Sequence, residues 1–369
     1  MSRRKFIKQA TVATAGAVLL TKTGLANNIL NTMSNSPIKA IHKLGAQWPT
    51  QDPFMFCAHH LDNYPGGNGK LGPNVSLAGR NIGQDFAGID GWNMYHGDVV
   101  PGFPAHPHCG FETVTIVTQG MADHSDSLGG KGRFGEGDVQ WLTAGKGVQH
   151  AEMFPLLKED ANPFELFQIW LNLPRKSKKV EAHYKMLWAE DIPVIKEKDK
   201  LGKQTIIDLV AGYYGDQKAL SPTPDSWASD PANEIQIWKI KMEAGASFTI
   251  PKSTGDVNRS LYFYNGSSAT IAGEKVSGGR GLDVVATVDL EVVNGDETGF
   301  FVLLQGKSIG EPVVQHGPFV ANSAEEINAA IMEFRRTEFG GWPYDSSGPT
   351  HGNTRGRFAR FADGTEVEK

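Results

Sequence analysis

Short segments in which apolar and polar residues alternate cover most of the chain, and Gly, Pro, Asn or Asp residues close them. The clearest such segments are 111–118, 164–171, 235–241, 260–264 and 299–304. A period of two is typical of half-buried β-strands, and many short strands favour antiparallel barrels or sandwiches. The sequence shows neither a long heptad pattern nor a short-period repeat. The pattern therefore predicts an all-β protein.

One helix is predicted near the C-terminal end of the chain. Ser323 and Glu326 have the spacing of a capping box, in which each side chain binds the other's backbone N–H group. Ile327, Ile331 and Phe334 follow at i, i+4 and i+7, so they share one helix face. We expect this short helix to pack that face on a barrel.

A charged stretch over 175–203, with Lys-rich runs at its ends, separates two strand-rich blocks. A Gly- and Asn-rich stretch over 63–81 predicts a long loop that borders a site. The predicted units are an N-terminal barrel over 38–190, a C-terminal barrel over 191–320, a helix with a return segment over 321–341 and a polar tail over 342–369.

The composition agrees with this division. A chain of 369 residues and 40.1 kDa suits two domains, and 40% hydrophobic residues can form substantial cores. The 43 Gly and 20 Pro residues are more typical of a turn-rich β-protein than of a helical one.

Residues 1–26 have the features of an export signal. Arg3 and Arg4 precede Phe6, a moderately apolar stretch follows over 10–20, and small residues end the segment at Ala26. That stretch is too short to remain as a membrane helix, which needs about 20 apolar residues. The segment resembles a twin-arginine signal, and an ordinary Sec signal or an uncleaved anchor is the alternative. We expect an exported, periplasmic protein that has no stable membrane anchor after cleavage.

The net charge argues against nucleic acid and anionic membrane surfaces as partners. The signal holds five of the 36 basic residues and no acidic residue. Its removal leaves 31 basic against 41 acidic residues, a net charge of −10. Such a surface repels phosphate groups.

The chain has two cysteines, Cys57 and Cys109. Two thiols are too few for a disulfide framework or for a cysteine-based zinc site. Their spacing allows one disulfide bridge or two free, partly buried thiols, and it does not decide between them.

Eight of the eleven histidines lie in the first 150 residues, so a histidine-based site is expected in the first block. His106 and His108 can share one face of a strand, and His150 and Glu152 form a second such pair. Two pairs that face each other across a barrel could hold one metal ion, with nitrogens about 2.0–2.1 Å from it.

Side chains alternate between the two faces of a strand, so their positions predict which residues face inward. On this reasoning Val114 and Ile116 extend the face of His106 and His108, and Thr113 and Thr115 take the other. Val148 and Phe154 likewise flank the second pair, so both pairs are expected to point into the barrel. An unpaired carboxylate is costly in apolar surroundings, and a metal partner would offset this cost.

Spacing alone does not decide which carboxylate is the fourth ligand. Glu112 has the same parity as His106 and His108, and its alternative role is to orient a histidine from behind. His124 stands between Asp123 and Asp126 and is expected in a solvated polar turn. His316 has no partner two residues away, so the second barrel is expected to lack a metal site.

These residues resemble the pirin family, two-barrel members of the cupin superfamily. The resemblance covers about 52–341, and its motifs are His106-Pro-His108, the segment 110–115, Asp126-Ser-Leu128, the segments 137–141 and 143–147, His150-Ala-Glu-Met153, and the segments 167–174 and 311–319.

The resemblance implies two antiparallel jelly-roll barrels arranged face to face. It implies that His106, His108, His150 and Glu152 bind iron as Fe²⁺, although Mn, Ni, Cu or Zn could occupy the same ligands. It also implies a quercetin 2,3-dioxygenase type of activity, with O₂ and a small aromatic molecule as substrates and Glu152 as the catalytic residue. A non-catalytic, redox-responsive iron protein that acts through a protein partner is the alternative, and a monomer is expected.

Overall fold

The computed structural model describes residues 36–369, and the predicted export signal lies outside them. Every strand pair in this part of the chain is antiparallel. Within the same range no helix has the length and apolar character that crossing a membrane requires. The predicted fold class is confirmed: two β-barrels and a short C-terminal helix.

The first barrel consists of two six-stranded sheets. The sheet that faces the second barrel has the order β11-β8-β5-β10-β3-β2, and its strands are β2 (Gln47–Trp48), β3 (Phe54–Tyr64), β5 (Phe111–Gln119), β8 (Val139–Thr143), β10 (Asn162–Asn172) and β11 (His183–Leu187). The outer sheet has the order β27-β26-β7-β6-β9-β4, and its strands are β4 (Gly102–His108), β6 (Met121–Asp126), β7 (Lys131–Gly135), β9 (Val148–Met153), β26 (Phe358–Arg360) and β27 (Glu366–Glu368).

The second barrel consists of a seven-stranded and a four-stranded sheet. The larger sheet has the order β1-β21-β18-β23-β16-β13-β12, and its strands are β1 (Ile38–Lys43), β12 (Val194–Lys198), β13 (Gln204–Ala211), β16 (Gln236–Met242), β18 (Asn258–Asn265), β21 (Arg280–Val285) and β23 (Gly299–Gly306). The smaller sheet has the order β17-β22-β19-β20, and its strands are β17 (Ser247–Ile250), β19 (Ser268–Ile271), β20 (Glu274–Ser277) and β22 (Leu290–Asn294).

The remaining elements are small. Two hairpins pair β14 (Tyr213–Tyr214) with β15 (Gln217–Lys218) and β24 (Val314–His316) with β25 (Phe319–Ala321). Single 3₁₀ turns lie at Ile89–Gly91, Arg175–Ser177, Trp227–Ser229, Pro231–Asn233 and Glu338–Gly340. The helix α1 spans Ala324–Thr337.

Helix α1 begins at the predicted cap Ser323, although Glu326 binds the N–H group before that of Ser323. The Ser323 hydroxyl accepts a hydrogen bond from the backbone N–H of Glu326, and a Glu326 carboxylate oxygen accepts one from the backbone N–H of Asn322. Its apolar face packs against Cys109 and Phe319, beside the end of β4. The helix therefore braces the strand that carries His106 and His108.

Two strands pair with the barrel that is formed by the other end of the chain. β1 lies in the range 38–190, yet it pairs with β21 in the second barrel. β26 lies in the polar tail, yet it pairs with β7 in the first barrel. Sheet pairing is non-local, and the alternation within a strand does not identify its neighbour.

The two barrels pack face to face through a shared apolar cluster. Ile169 and Leu171 of β10 meet Ile237 of β16 and Leu304 of β23 there, and all four are buried. Cys57 also lies in this cluster, whereas Cys109 lies in the separate group under α1. Both thiols are free, and burial raises the pKa of each, that of Cys109 to about 11.

Candidate metal centre

Strands β4 and β9 lie side by side in the outer sheet of the first barrel and bring the predicted ligands together. His106 pairs in register with His150, and Phe103 pairs with Glu152. A register shift between Phe103 and His106 marks a bulge in β4, as expected for a strand that contains Pro107. The two sequence pairs are thus neighbours on adjacent strands.

Three imidazole nitrogens converge at this place. His106 Nε2 lies 3.1 Å from His108 Nε2 and 3.0 Å from His150 Nε2. In the described part of the chain, these three residues form a group whose ligand atoms all lie within 4.8 Å of one another. Nitrogens that bind one cation at about 2.1 Å are about 3.0 Å apart at a right angle and about 3.4 Å apart at a tetrahedral angle. The two measured separations fit ligands at right angles, which leaves further coordination positions open.

The protonation of the three imidazoles also suits a metal. Burial lowers the pKa of His106 to about 4 and the pKa values of His108 and His150 well below their ordinary value. The rings are therefore neutral at pH 7. His106 Nδ1 lies 3.0 Å from the Pro104 carbonyl oxygen and donates to it, so His106 Nε2 keeps a lone pair for a ligand.

Glu152 lies beside the three histidines. Its Oε2 atom is 3.7 Å from His150 Nε2, and the residue is only 3% exposed. Burial raises the pKa of Glu152. The structure thus places Glu152 next to the histidine group, and its role as a fourth ligand stays a prediction.

Two side chains that the sequence analysis did not select hold the Glu152 carboxyl group. Gln168 Nε2 donates to Glu152 Oε2 at 2.8 Å, and Thr115 Oγ1 lies 3.2 Å from Glu152 Oε1. Thr115 Oγ1 also contacts Gln168 Oε1 at 2.5 Å. Partners of this kind orient metal-binding carboxylates. Thr115 and Gln168 could have been found only by knowing that β5 and β10 are neighbouring strands.

The predicted inward face of β5 was wrong. Val114 and Ile116 belong to the cluster between the barrels, whereas Thr115 points to Glu152. The cause is the turn between β4 and β5, where Gly110 adopts φ 85° and interrupts the alternation. On β9 the prediction was right, because Val148 and Phe154 lie in the core of the first barrel.

His124 is not in a solvated turn, contrary to the sequence prediction. It is fully buried, its Nε2 atom lies 2.9 Å from Asp126 Oδ2, and its ring centre is 5.6 Å from that of His150. The i, i+2 spacing of His124 and Asp126 was the available signal for a shared inward face. The neighbouring acidic residues were misread as signs of solvent.

Glu112 faces the second barrel instead of the metal centre. Its carboxylate accepts hydrogen bonds from Thr143 and Thr223 at 2.7 and 2.9 Å, from Ser226 at 2.6 Å and from the Trp141 indole at 3.2 Å. Burial raises its pKa to about 7 despite these donors. The alternative ligand of the sequence analysis is therefore a polar link between the barrels.

The raised pKa of Glu112 predicts how stability depends on pH. The pKa of about 7 in the folded protein exceeds the ordinary value of 4.5. The contribution of Glu112 to the free energy of unfolding is therefore complete below pH 4.5 and is lost as the pH rises through 7. The loss is about 3 kcal/mol, since one pKa unit corresponds to about 1.4 kcal/mol. Glu112→Gln cannot ionise, so its free energy of unfolding relative to wild type should increase between pH 5 and pH 8. Urea denaturation at both pH values measures this, and parallel pH profiles for the two proteins would contradict it.

Comparison with known proteins adds two family matches. A family model described as Pirin matches residues 79–171, and one described as Pirin C-terminal cupin domain matches residues 237–340. The first match contains all four residues of the predicted ligand set.

Similar proteins and a similar solved structure agree with these family matches. A Pseudomonas aeruginosa protein named "Putative quercetin 2,3-dioxygenase" is 38% identical over 240 residues, which are 64% of this chain and 80% of that protein. The human protein named Pirin is 35% identical over 247 residues, which are 65% of this chain and 78% of that protein. The crystal structure of quercetin 2,3-dioxygenase from Acinetobacter baumannii matches with a TM-score of 0.64 at 26% identity and covers 83% of this chain and 99% of that one.

Proposed function

Because this chain belongs to the pirin family of two-barrel cupins, we propose that it is a metal-dependent dioxygenase that acts on a phenolic, flavonol-like substrate. One observation carries the proposal: three neutral imidazoles present their Nε2 atoms to one point beside a buried carboxyl group. The names of the Pseudomonas aeruginosa relative and of the Acinetobacter baumannii structure support the reaction class.

We propose iron as Fe²⁺ for this centre, held by His106, His108, His150 and Glu152. Three imidazoles and one carboxylate with open positions suit a non-haem iron site, and Mn, Ni, Cu or Zn are the competing occupants. When bound, the metal would supply the positive charge that lowers the pKa of a coordinated hydroxyl group.

Within this proposal Glu152 takes the proton of the substrate hydroxyl. The accepting atom is Oε2, the carboxylate oxygen that lies 3.7 Å from His150 Nε2. The position of this oxygen beside the histidines places it within reach of a hydroxyl group bound there. Gln168 and Thr115 keep the carboxyl group turned towards the histidines while the proton is transferred.

Aromatic side chains next to His106 support an aromatic substrate. The ring centre of Phe103 lies 6.4 Å from that of His106, and the rings of Tyr95 and Phe86 follow at 5.1 and 6.4 Å from Phe103. Phe86 is 55% exposed, so this row of rings runs from solvent to the metal centre. Aromatic rings of this kind pack favourably against planar phenolic molecules.

The test begins with metal analysis of the purified protein and continues with O₂ uptake in the presence of quercetin. In the proposed reaction both oxygen atoms of O₂ enter the ester product, and one ring carbon leaves as carbon monoxide. We expect one carbon monoxide released per O₂ consumed, and no uptake with the flavone that lacks the 3-hydroxyl group. Bound iron without turnover of any phenolic would overturn the enzymatic proposal and favour the non-catalytic, redox-responsive alternative.

The proposal includes export by the twin-arginine route. Proteins on that route cross the membrane folded, so the metal would be inserted in the cytoplasm. A precursor of the Arg3→Lys, Arg4→Lys variant should then stay in the cytoplasm with its metal bound, and secretion of that variant would argue for a Sec signal.

A further inference from the structure

The segment 342–361, called the strap here, crosses the outer face of the sheet that carries the predicted metal ligands. It follows the last residue of the two family matches. The Ser347 carbonyl accepts a hydrogen bond from the Ala105 N–H on β4 at 2.6 Å, and Gly348 abuts the Met153 side chain on β9. Further along, β26 pairs with β7 at the opposite edge. The strap therefore spans β4, β9, β6 and β7 from one side to the other.

The strap is anchored at its centre by a buried ion pair. Arg133 donates to both carboxylate oxygens of Asp123 at 2.6 and 2.7 Å, and neither residue is exposed. The strap completes this pair, because the backbone N–H of His351 donates to Asp123 and the Arg355 carbonyl accepts from Arg133. A buried, bidentate pair with its remaining groups satisfied is rigid.

The strap also binds the backbone next to the metal centre. His351 Nε2 lies 2.8 Å from the carbonyl oxygen of His124, whose ring packs beside His150. Ala105, which the strap binds on β4, directly precedes His106. The strap thus contacts the chain on both sides of β9, which carries His150 and Glu152.

Strand β4 needs such support more than its neighbours do. It is the edge strand of its sheet, it contains a register shift, and Pro107 has no N–H to donate to β9. His106 is also the least buried of the three histidines. An edge strand held by few ladder hydrogen bonds opens more easily than a central one.

We propose that the strap is a positioning segment of the metal centre, which holds β4 against β9 and slows release of the metal. This inference rests on the proposed function, because it requires a metal at the three histidines. Its structural competitor is a strap that only covers the edge of β7 and stabilises the barrel.

The test measures transfer of Co²⁺ from the loaded protein to EDTA and the hydrogen exchange of the Ala105 amide. Deletion of 342–369 should speed metal release by about tenfold or more, the range seen for groups that support ligands, and should expose the Ala105 amide. Deletion of 364–369 is the matched control, because it removes the exposed strand β27 but none of the groups through which the strap binds β4, β6 and β7.

A point variant keeps the test decisive if the long deletion does not fold. His351→Ala removes the donor to the His124 carbonyl and should speed release, whereas His351→Gln retains an N–H donor and should restore the wild-type rate. Wild-type release rates in the folded deletion protein, or in His351→Ala, would overturn the strap proposal alone. A wild-type protein that retains no Co²⁺ would overturn the metal centre and the strap together.

Discussion

Replacing His108 by Ala is expected to lower the affinity for the metal by more than about 100-fold, beyond the effect of losing an outer partner of a ligand. The imidazole of His108 is one of the three that converge within residues 36–369, and its Nε2 atom lies 3.1 Å from that of His106. Its removal leaves two imidazoles and the carboxyl group of Glu152, so the proposed set loses one of its four ligands. Metal content after dialysis and titration calorimetry with Fe²⁺ or Co²⁺ measure the loss.

His316→Ala is the matched control for this variant. His316 is exposed on β24 and is not part of the group of converging histidines, so its replacement should leave the metal content unchanged. Equal metal content and equal thermal stability in His108→Ala and wild type would mean that the barrel is a scaffold that binds metal adventitiously.

Phe167→Ala is expected to lower the free energy of unfolding by about 3–5 kcal/mol, the usual cost of deleting a buried aromatic ring. Phe167 is fully buried where the barrels meet. Its ring stacks on His59 at 4.5 Å and contacts Trp48 and Tyr264, so the cavity would be lined from both barrels. Denaturation in urea, followed by tryptophan fluorescence, measures the change.

Leu201→Ala provides the comparison for a large residue on the surface. Leu201 is 80% exposed, so its truncation should change the free energy of unfolding by less than about 0.5 kcal/mol. If Phe167→Ala were as mild, the two barrels would have to be stable without their shared cluster.

The features that could be predicted from the sequence are those that local patterns determine. Alternation identified strands such as β5 and β10, the capping box identified α1, and two i, i+2 pairs placed the three histidines in one region. These signals depend on residues that are close along the chain, so no knowledge of the partner strands was needed.

The errors arose where geometry changes between elements or where partners are distant. A turn at Gly110 reversed the faces of β5, so Thr115 and not Val114 supports Glu152. Glu112 received its partners Thr223 and Ser226 from the other barrel. His124 was assigned to solvent because of its acidic neighbours, although its ring lies inside the barrel beside His150.

The pairing of β1 with β21 and of β26 with β7 has a consequence for biogenesis. His42 of β1 binds Asp283, which is 241 positions later, and Phe358 of β26 pairs with Arg133. Neither barrel is therefore a contiguous stretch of polypeptide, and the first barrel lacks β26 until the whole second barrel has been synthesised. A nascent chain cannot finish its first half on the ribosome and then begin the second, as separate domains do. Completion of the first barrel must wait until β26 has left the ribosome, so any device that checks for foldedness would be testing both barrels at once.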